Sequence, residues 1–256
     1  LVIEKEVRLI KTRHVGRLGI LAEGGRNGLR IDEIIYKTLI AGDSYRTLLK
    51  GLWVTFQISL LSLLLGTLLG VAVCAMRRSR LRLVRSIAAV YMAVVRGSPV
   101  LLLLMLMYYV VFAGSNVSPV MVAVAAFSLH MSAYTAACFY SAINATDAMQ
   151  VEAARTLGFS RWQAFTLITL PQTAKIAKET YQSTIVTLIQ WTSVVGYVTI
   201  TDLTRVINNI GSRTMQPLFM ILVGLLLYLG MAYLSYGAFA LAGRLSVWRK
   251  NRRLKA

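Results

Sequence analysis

Residues 52–76 read LWVTFQISLLSLLLGTLLGVAVCAM, an unbroken run without one Asp, Glu, Lys or Arg. A helix needs about 20 mostly apolar residues to cross about 30 Å of hydrocarbon, so this run predicts a membrane span. Four more stretches meet or approach the same requirement: 87–112, 119–142, 180–201 and 217–242. Backbone N–H and C=O groups find no water in lipid and must be satisfied within their own segment, which makes helices of all five. The expected fold class is an all-α integral membrane protein, with the lipid bilayer as its surroundings.

The formal net charge of +18 would suggest nucleic acid in a soluble protein. Here most of the positive charge beyond the N-terminal arm flanks the spans, and no folded basic domain remains to hold a nucleic acid. Cys74 and Cys138 fall in different spans without metal-ligand spacing, and read as buried, unreactive thiols. Residues 1–35 contain no apolar core of signal-peptide type. The chain begins with leucine, and the expectation is that it continues a longer protein or a fusion.

Lys and Arg concentrate in short cytoplasmic loops beside span ends. Arg77, Arg78, Arg80, Arg82 and Arg85 follow the first span; Arg155, Arg161, Lys175 and Lys178 follow the third; Arg244, Arg249, Lys250, Arg252, Arg253 and Lys255 follow the fifth. The alternate loops are poorer: 113–118 carries no charge, and 202–216 only Arg205 and Arg213 as cations. The C-terminus is thus expected in the cytoplasm and the N-terminus outside. Residues 1–50 conflict with this, carrying ten Lys/Arg against six Asp/Glu. Long translocated segments partly escape the rule, as an arm behind an exported domain would. Ile31, Ile34, Ile35, Thr38 and Leu39 have helical spacing, and predict an interfacial helix over 32–49. The organisation expected is an extracytoplasmic or interfacial arm (1–50), a transmembrane domain (51–243) and a basic cytoplasmic tail (244–256).

The sharpest local signal lies between the third and fourth spans, in loop 144–171. Glu152, Ala153, Ala154 and Leu157 favour helix. Gly158 supplies a break, and Ser160 with Gln163 spells a capping box for a second helix. Pro171 disfavours helical geometry just before it. The loop is too long and too structured for an idle connection, and small Ala153 and Ala154 would let another protein surface approach.

Glu152-Ala153-Ala154, three residues, Gly158, nine residues, Ile168, one residue, Leu170-Pro171 resembles the EAA loop of ATP-binding-cassette (ABC) importer permeases. Further stretches are similar to permeases for polar amino acids: Gly51 with Thr55, Arg96-Gly97-Ser98-Pro99, Thr192-Ser193 and Asp202-Leu203. The resemblance covers roughly residues 45–242. It departs where that family has Ala-Glu-Ile-x-Arg-Gly, for residues 136–141 read Ala-Ala-Cys-Phe-Tyr-Ser. A lysine common before the Thr-Ser pair is replaced by Gln190-Trp191. The resemblance implies a type I importer permease fold in the bacterial inner membrane, with Glu152, Ala153, Ala154, Gly158, Ile168, Leu170 and Pro171 docking on an ATP-binding subunit. It also implies a second permease subunit, identical or not, and an extracytoplasmic substrate-binding protein, separate or fused. This chain would be no enzyme and bind no cofactor, with ATP and Mg held by the partner ATPase. Rival readings are a permease for another solute, such as methionine or an osmolyte, and a non-transporting scaffold or channel.

Polar groups inside spans are costly and face protein or water, which marks candidates for the substrate pathway. Arg96 lies nine residues into its span, about 14 Å along a helix, with Ser98 and Pro99 just beyond. Its guanidinium reads as a partner for a substrate carboxylate, a neighbouring helix or a second protomer. Ser183, Thr187, Gln190, Tyr197 and Thr201 share a helical face, either lining a passage or bonding between helices, and Ser193 joins them through the resemblance. His130 and Tyr134 are one turn apart; the histidine reads as packing or as a group facing the passage. Ser59, Ser62, Gly66 and Gly70 form a small-residue stripe that predicts close helix packing.

Overall fold

The computed structural model describes residues 34–40 and 43–253, with side chains to residue 241. Leu1–Tyr45 and Arg46–Ala256 are two compact units. In the first, the described residues hold a π-helical turn, Tyr36–Ile40, and Asp43 at φ 55. The expected interfacial helix over 32–49 is corrected accordingly: its described part is interrupted at Asp43, and residues 44–49 belong to the helix of the first span. Residues 32–33 and 41–42 lie outside the described residues.

Helices follow in the order α1 (Ser44–Arg77), α2 (Arg82–Gly97), α3 (Val100–Leu106), α4 (Pro119–Asn144), α5 (Ala148–Thr156), α6 (Arg161–Ala164), α7 (Leu170–Trp191), α8 (Leu203–Thr214) and α9 (Pro217–Arg253). A π-helical segment, Met107–Val111, extends α3; another, Phe165–Thr169, joins α6 to α7; and a 3-10 segment, Thr192–Val198, extends α7. By length and composition α1, α4 and α9 are able to cross a membrane, and two bent pairs raise that to five if each pair counts as one span.

Helix starts follow cap chemistry. Ser118 Oγ accepts from the Met121 N–H with Pro119 just inside α4, Asp147 caps α5, and Asp202 caps α8. The second span is bent, and the chain bends again beyond the fourth. Pro99 lacks an N–H, Ser98 is extended, and the chain turns by 105° between α2 and α3. Beyond α7 the chain passes through Thr199 at φ 66 and bends by 60° into α8. Pro171 does not stop its helix: it occupies the first turn of α7, where a missing N–H is harmless.

α4 is the buried centre, packed on α2, α3 and α7. α1 reaches it through its small-residue stripe. A Cβ on Gly66 would lie 2.7 Å from Met131 Cβ, and one on Gly70 2.6 Å from Thr135 Cβ. Ser62 Oγ, fully buried between them, reaches the Val124 carbonyl at 3.4 Å. The core is Ile58, Leu104, Phe127, Met131, Leu188 and Val195, with their smaller neighbours. Apolar side chains also cover the outside, among them Leu68, Leu218, Leu226 and Leu234. In a membrane protein these meet lipid tails, so their exposure carries no hydrophobic penalty.

Candidate functional site

Two regions hold the residues singled out from the sequence. The first is the hairpin α5–α6. The Asp147 carboxylate accepts from the Met149 N–H at 2.9 Å and starts α5. The turn that ends it has Gly158 at φ 89, a geometry L side chains rarely adopt. The Phe159 N–H donates to the Ala154 carbonyl at 3.1 Å, and Arg155 Nη1 donates to the Phe159 carbonyl at 3.2 Å, closing the turn. The capping box is formed in full: the Gln163 N–H donates to Ser160 Oγ at 3.2 Å and the Ser160 N–H to Gln163 Oε1 at 2.8 Å.

Within the motif, Glu152, Ala153, Gly158, Leu170 and Pro171 are exposed, Ile168 is half-buried in the π segment, and Ala154 is buried. Ala154 and Ala164 therefore tie the hairpin together, while Ala153 faces outward. Sequence reasoning did not single out Met149 and Trp162, or give Leu157 an outward role. They are 77%, 71% and 79% exposed, the apolar content of the hairpin's outer surface. Their signal was present as large apolar residues in a segment outside every span.

The second region is a cleft of about 500 Å³ between α2 and α4. Arg96 enters from the last turn of α2, its guanidinium 5.2 Å from the centre of the Tyr134 ring. Arg77, from the end of α1, lies 5.1 Å from the centre of the Tyr140 ring. Ala89, Ala93, Gly97 and Ala137 make the walls small, and Ser141 adds a hydroxyl. Positions 137 and 140, where the sequence departs from the family pattern, both line this cleft. Ser98 donates its hydroxyl to the Val95 carbonyl at 2.9 Å, and Pro99 begins the bend beyond.

His130 lies behind the cleft rather than in it. It is 2% exposed, with Trp191 edge-on at 4.6 Å and Tyr134 at 5.4 Å between ring centres. Trp191 also meets Tyr134 edge-on at 5.2 Å. This tryptophan was read only as a departure from a pattern, yet it connects the end of α7 to the residues around Arg96.

The polar face of the fourth span divides. Ser183 and Gln190 are exposed and Thr187 half-buried. Thr187 donates to the Ser183 carbonyl at 3.0 Å and Ser193 to the Gln190 carbonyl at 2.8 Å, so these hydroxyls are satisfied within their own helix. Gln190 and Ser193 border a separate cleft of about 450 Å³ against α9, beside Tyr228, Tyr233 and Tyr236. Val186 and Ile189 line it too. Tyr197 does not continue the α-helical face: the 3-10 segment advances about 120° per residue instead of about 100°, which rotates it out of register. It is exposed, and its carbonyl accepts from the Tyr109 hydroxyl at 3.4 Å.

Residues 58–246 match the family described as binding-protein-dependent transport system inner membrane component. The probable amino-acid ABC transporter permease protein YckA of Bacillus subtilis is 34% identical over 197 residues, 77% of this chain and 87% of that protein. The histidine/lysine/arginine/ornithine transport system permease protein HisM of Salmonella typhimurium is 27% identical, with 84% and 96% covered. A crystal structure of an amino acid ABC transporter with histidines shares the fold at a TM-score of 0.72 and 26% identity, covering 81% of this chain and 97% of that one. The MetNI methionine ABC transporter in an inward-facing conformation has a TM-score of 0.62 at 18% identity, covering 78% and 96%, a likeness of fold.

Proposed function

We propose a working mechanism from the premise that this chain belongs to the family of binding-protein-dependent transport system inner membrane components. It is the permease subunit of an ABC importer for amino acids. It works in the inner membrane with an ATPase and a substrate-binding protein. In our reading two permease subunits enclose the pathway, the C-terminus faces the cytoplasm, and the N-terminus faces outward. ATP and Mg belong to the partner, and this chain contributes no catalytic group.

The observation that carries the coupling role is the α5–α6 hairpin, which presents Met149, Leu157 and Trp162 to the surroundings, outside the five apolar stretches of the sequence. Apolar side chains on a projecting rigid turn suit a cleft in another protein. Glu152 and Ala153 share that surface, and Gly158 sets its shape. The hairpin continues through Phe165–Thr169 into α7 without a flexible joint, so displacement by the ATPase moves α7 directly. At its far end Trp191 touches Tyr134, beside Arg96. Arg96, Tyr134 and Ser98 lie on the solute's route, with Gln190, Ser193, Ser183 and Thr187 on a second wetted face. ATP drives this motion only by binding the two conformations of the complex unequally.

Gly158→Asp tests the reading. A Cβ at Gly158 meets nothing within 4 Å in this chain, so the substitution adds no clash; its strain is local to the turn, and the subunit is expected still to insert. The positive φ opposes an L side chain, and the added charge enters the docking surface. The expected outcome in proteoliposomes is loss of ATP-driven amino-acid uptake and weaker co-purification of the ATPase. Unchanged uptake would refute the assignment of the hairpin.

A further inference from the structure

Resting on the importer reading above, we infer that the α2–α4 cleft is a binding site for an acidic solute, a small molecule carrying two carboxylates. Its lining holds two guanidiniums, Arg77 and Arg96, and no Asp or Glu. Arg77 stands at the end of the first span and Arg96 is exposed along the second, and the lining offers neither a counter-charge. Each guanidinium lies over a tyrosine ring, which attracts the cation without accepting its N–H groups in hydrogen bonds. Arginine matches a carboxylate with two parallel hydrogen bonds, so each is a carboxylate receptor in waiting.

Spacing and size agree. Tyr134 and Tyr140 are six residues apart on α4, about 9 Å along its axis, which sets the two cations at separate stations. Ala89, Ala93, Gly97 and Ala137 leave room for an open cleft of about 500 Å³, ample for a dicarboxylic amino acid. The Ser141 hydroxyl, with the phenol groups of Tyr134 and Tyr140, is available for an amine or a water. A basic amino acid carries two cationic groups against one carboxylate, so it brings net positive charge to a site with no anion, and like charges disfavour it. The cleft therefore selects for acidic over neutral and basic solutes.

The test is equilibrium binding of radiolabelled L-glutamate, L-glutamine and L-arginine to the whole permease–ATPase complex in nanodiscs of zwitterionic lipid. Glutamate is expected to bind best, and Arg96→Gln and Arg77→Gln each to weaken it by about tenfold, the loss of one charge-assisted pair. Arg96→Lys recovers part of the loss, and Arg85→Gln, outside the cleft, changes nothing. Ala137→Glu places a carboxylate in the cleft and is expected to abolish glutamate binding. Ser141→Asp does the same should the first variant fail to assemble with the ATPase. Glutamine or arginine binding as tightly as glutamate, or glutamate binding indifferent to these variants, overturns the inference. ATP-driven uptake separates the two levels of the argument. Amino-acid uptake that ignores solute charge defeats the acidic-solute site alone, whereas absence of ATP-driven uptake of any amino acid defeats the importer reading beneath it.

Discussion

Asp202 shows how one buried polar residue organises its surroundings. Its side chain accepts from the Thr204 N–H at 3.0 Å and the Arg205 N–H at 3.1 Å, while the Leu203 N–H donates to Thr55 Oγ1 at 3.1 Å. The first three amides of α8 are thus satisfied although Asp202 is fully buried. Asp202→Ala leaves two partly buried N–H groups without a partner, and is expected to cost about 1–2 kcal/mol. Asp202→Asn keeps one accepting oxygen for the two N–H groups, and is expected to retain about half of that stability. Thermal melting in detergent measures both, and an Asn variant as weak as the Ala variant would refute the capping account. His130 illustrates the opposite case: its Nδ1 has no hydrogen-bond partner, and its ring is enclosed by Tyr134 and Trp191. Of its two sequence readings, that placement supports packing.

Between helices, small residues decide how close the elements come. Gly66 and Gly70 let α1 approach α4 until the Ser128 and Ser132 carbonyls lie 3.1 and 3.0 Å from where a Cβ would stand. Backbone yields less readily than a side-chain tip, so Gly66→Leu forces α1 and α4 apart. Overpacking of this kind costs about 1–3 kcal/mol, and the expected result is a lower melting temperature and less folded protein in the membrane. Gly230→Ala on α9 is the comparison, since nothing lies within 4 Å of the added Cβ. It is expected to be neutral or slightly stabilising through helix propensity. Equal damage from both would show that the seam is not close-packed.

For the whole molecule, the proposed machine requires the α5–α6 hairpin on the inner side of the membrane. Glu152 is exposed, and the two native cysteines, Cys74 and Cys138, are free and buried. A Glu152→Cys variant is expected to react with a membrane-impermeant maleimide in inside-out vesicles and not in right-side-out ones. Labelling from the external face would reverse the topology and end the coupling proposal. The membrane class, the apolar segments, the capped start of α6 and the turn at Gly158 were all legible in the sequence. Each depends on chemistry within a few residues: apolar length, a side-chain oxygen near a free amide, a glycine where φ turns positive. The meeting of Arg96, Tyr134 and Trp191 was not legible, nor was the separation of Gln190 and Ser193 into another cleft. Those depend on the turn at Pro99 and the change to 3-10 winding at Thr192, which redirect whole faces by amounts that periodicity along one helix does not contain. Only the packed bundle decides which side chains share a space, because contact between helices is set by their relative rotation and not by any spacing within one of them.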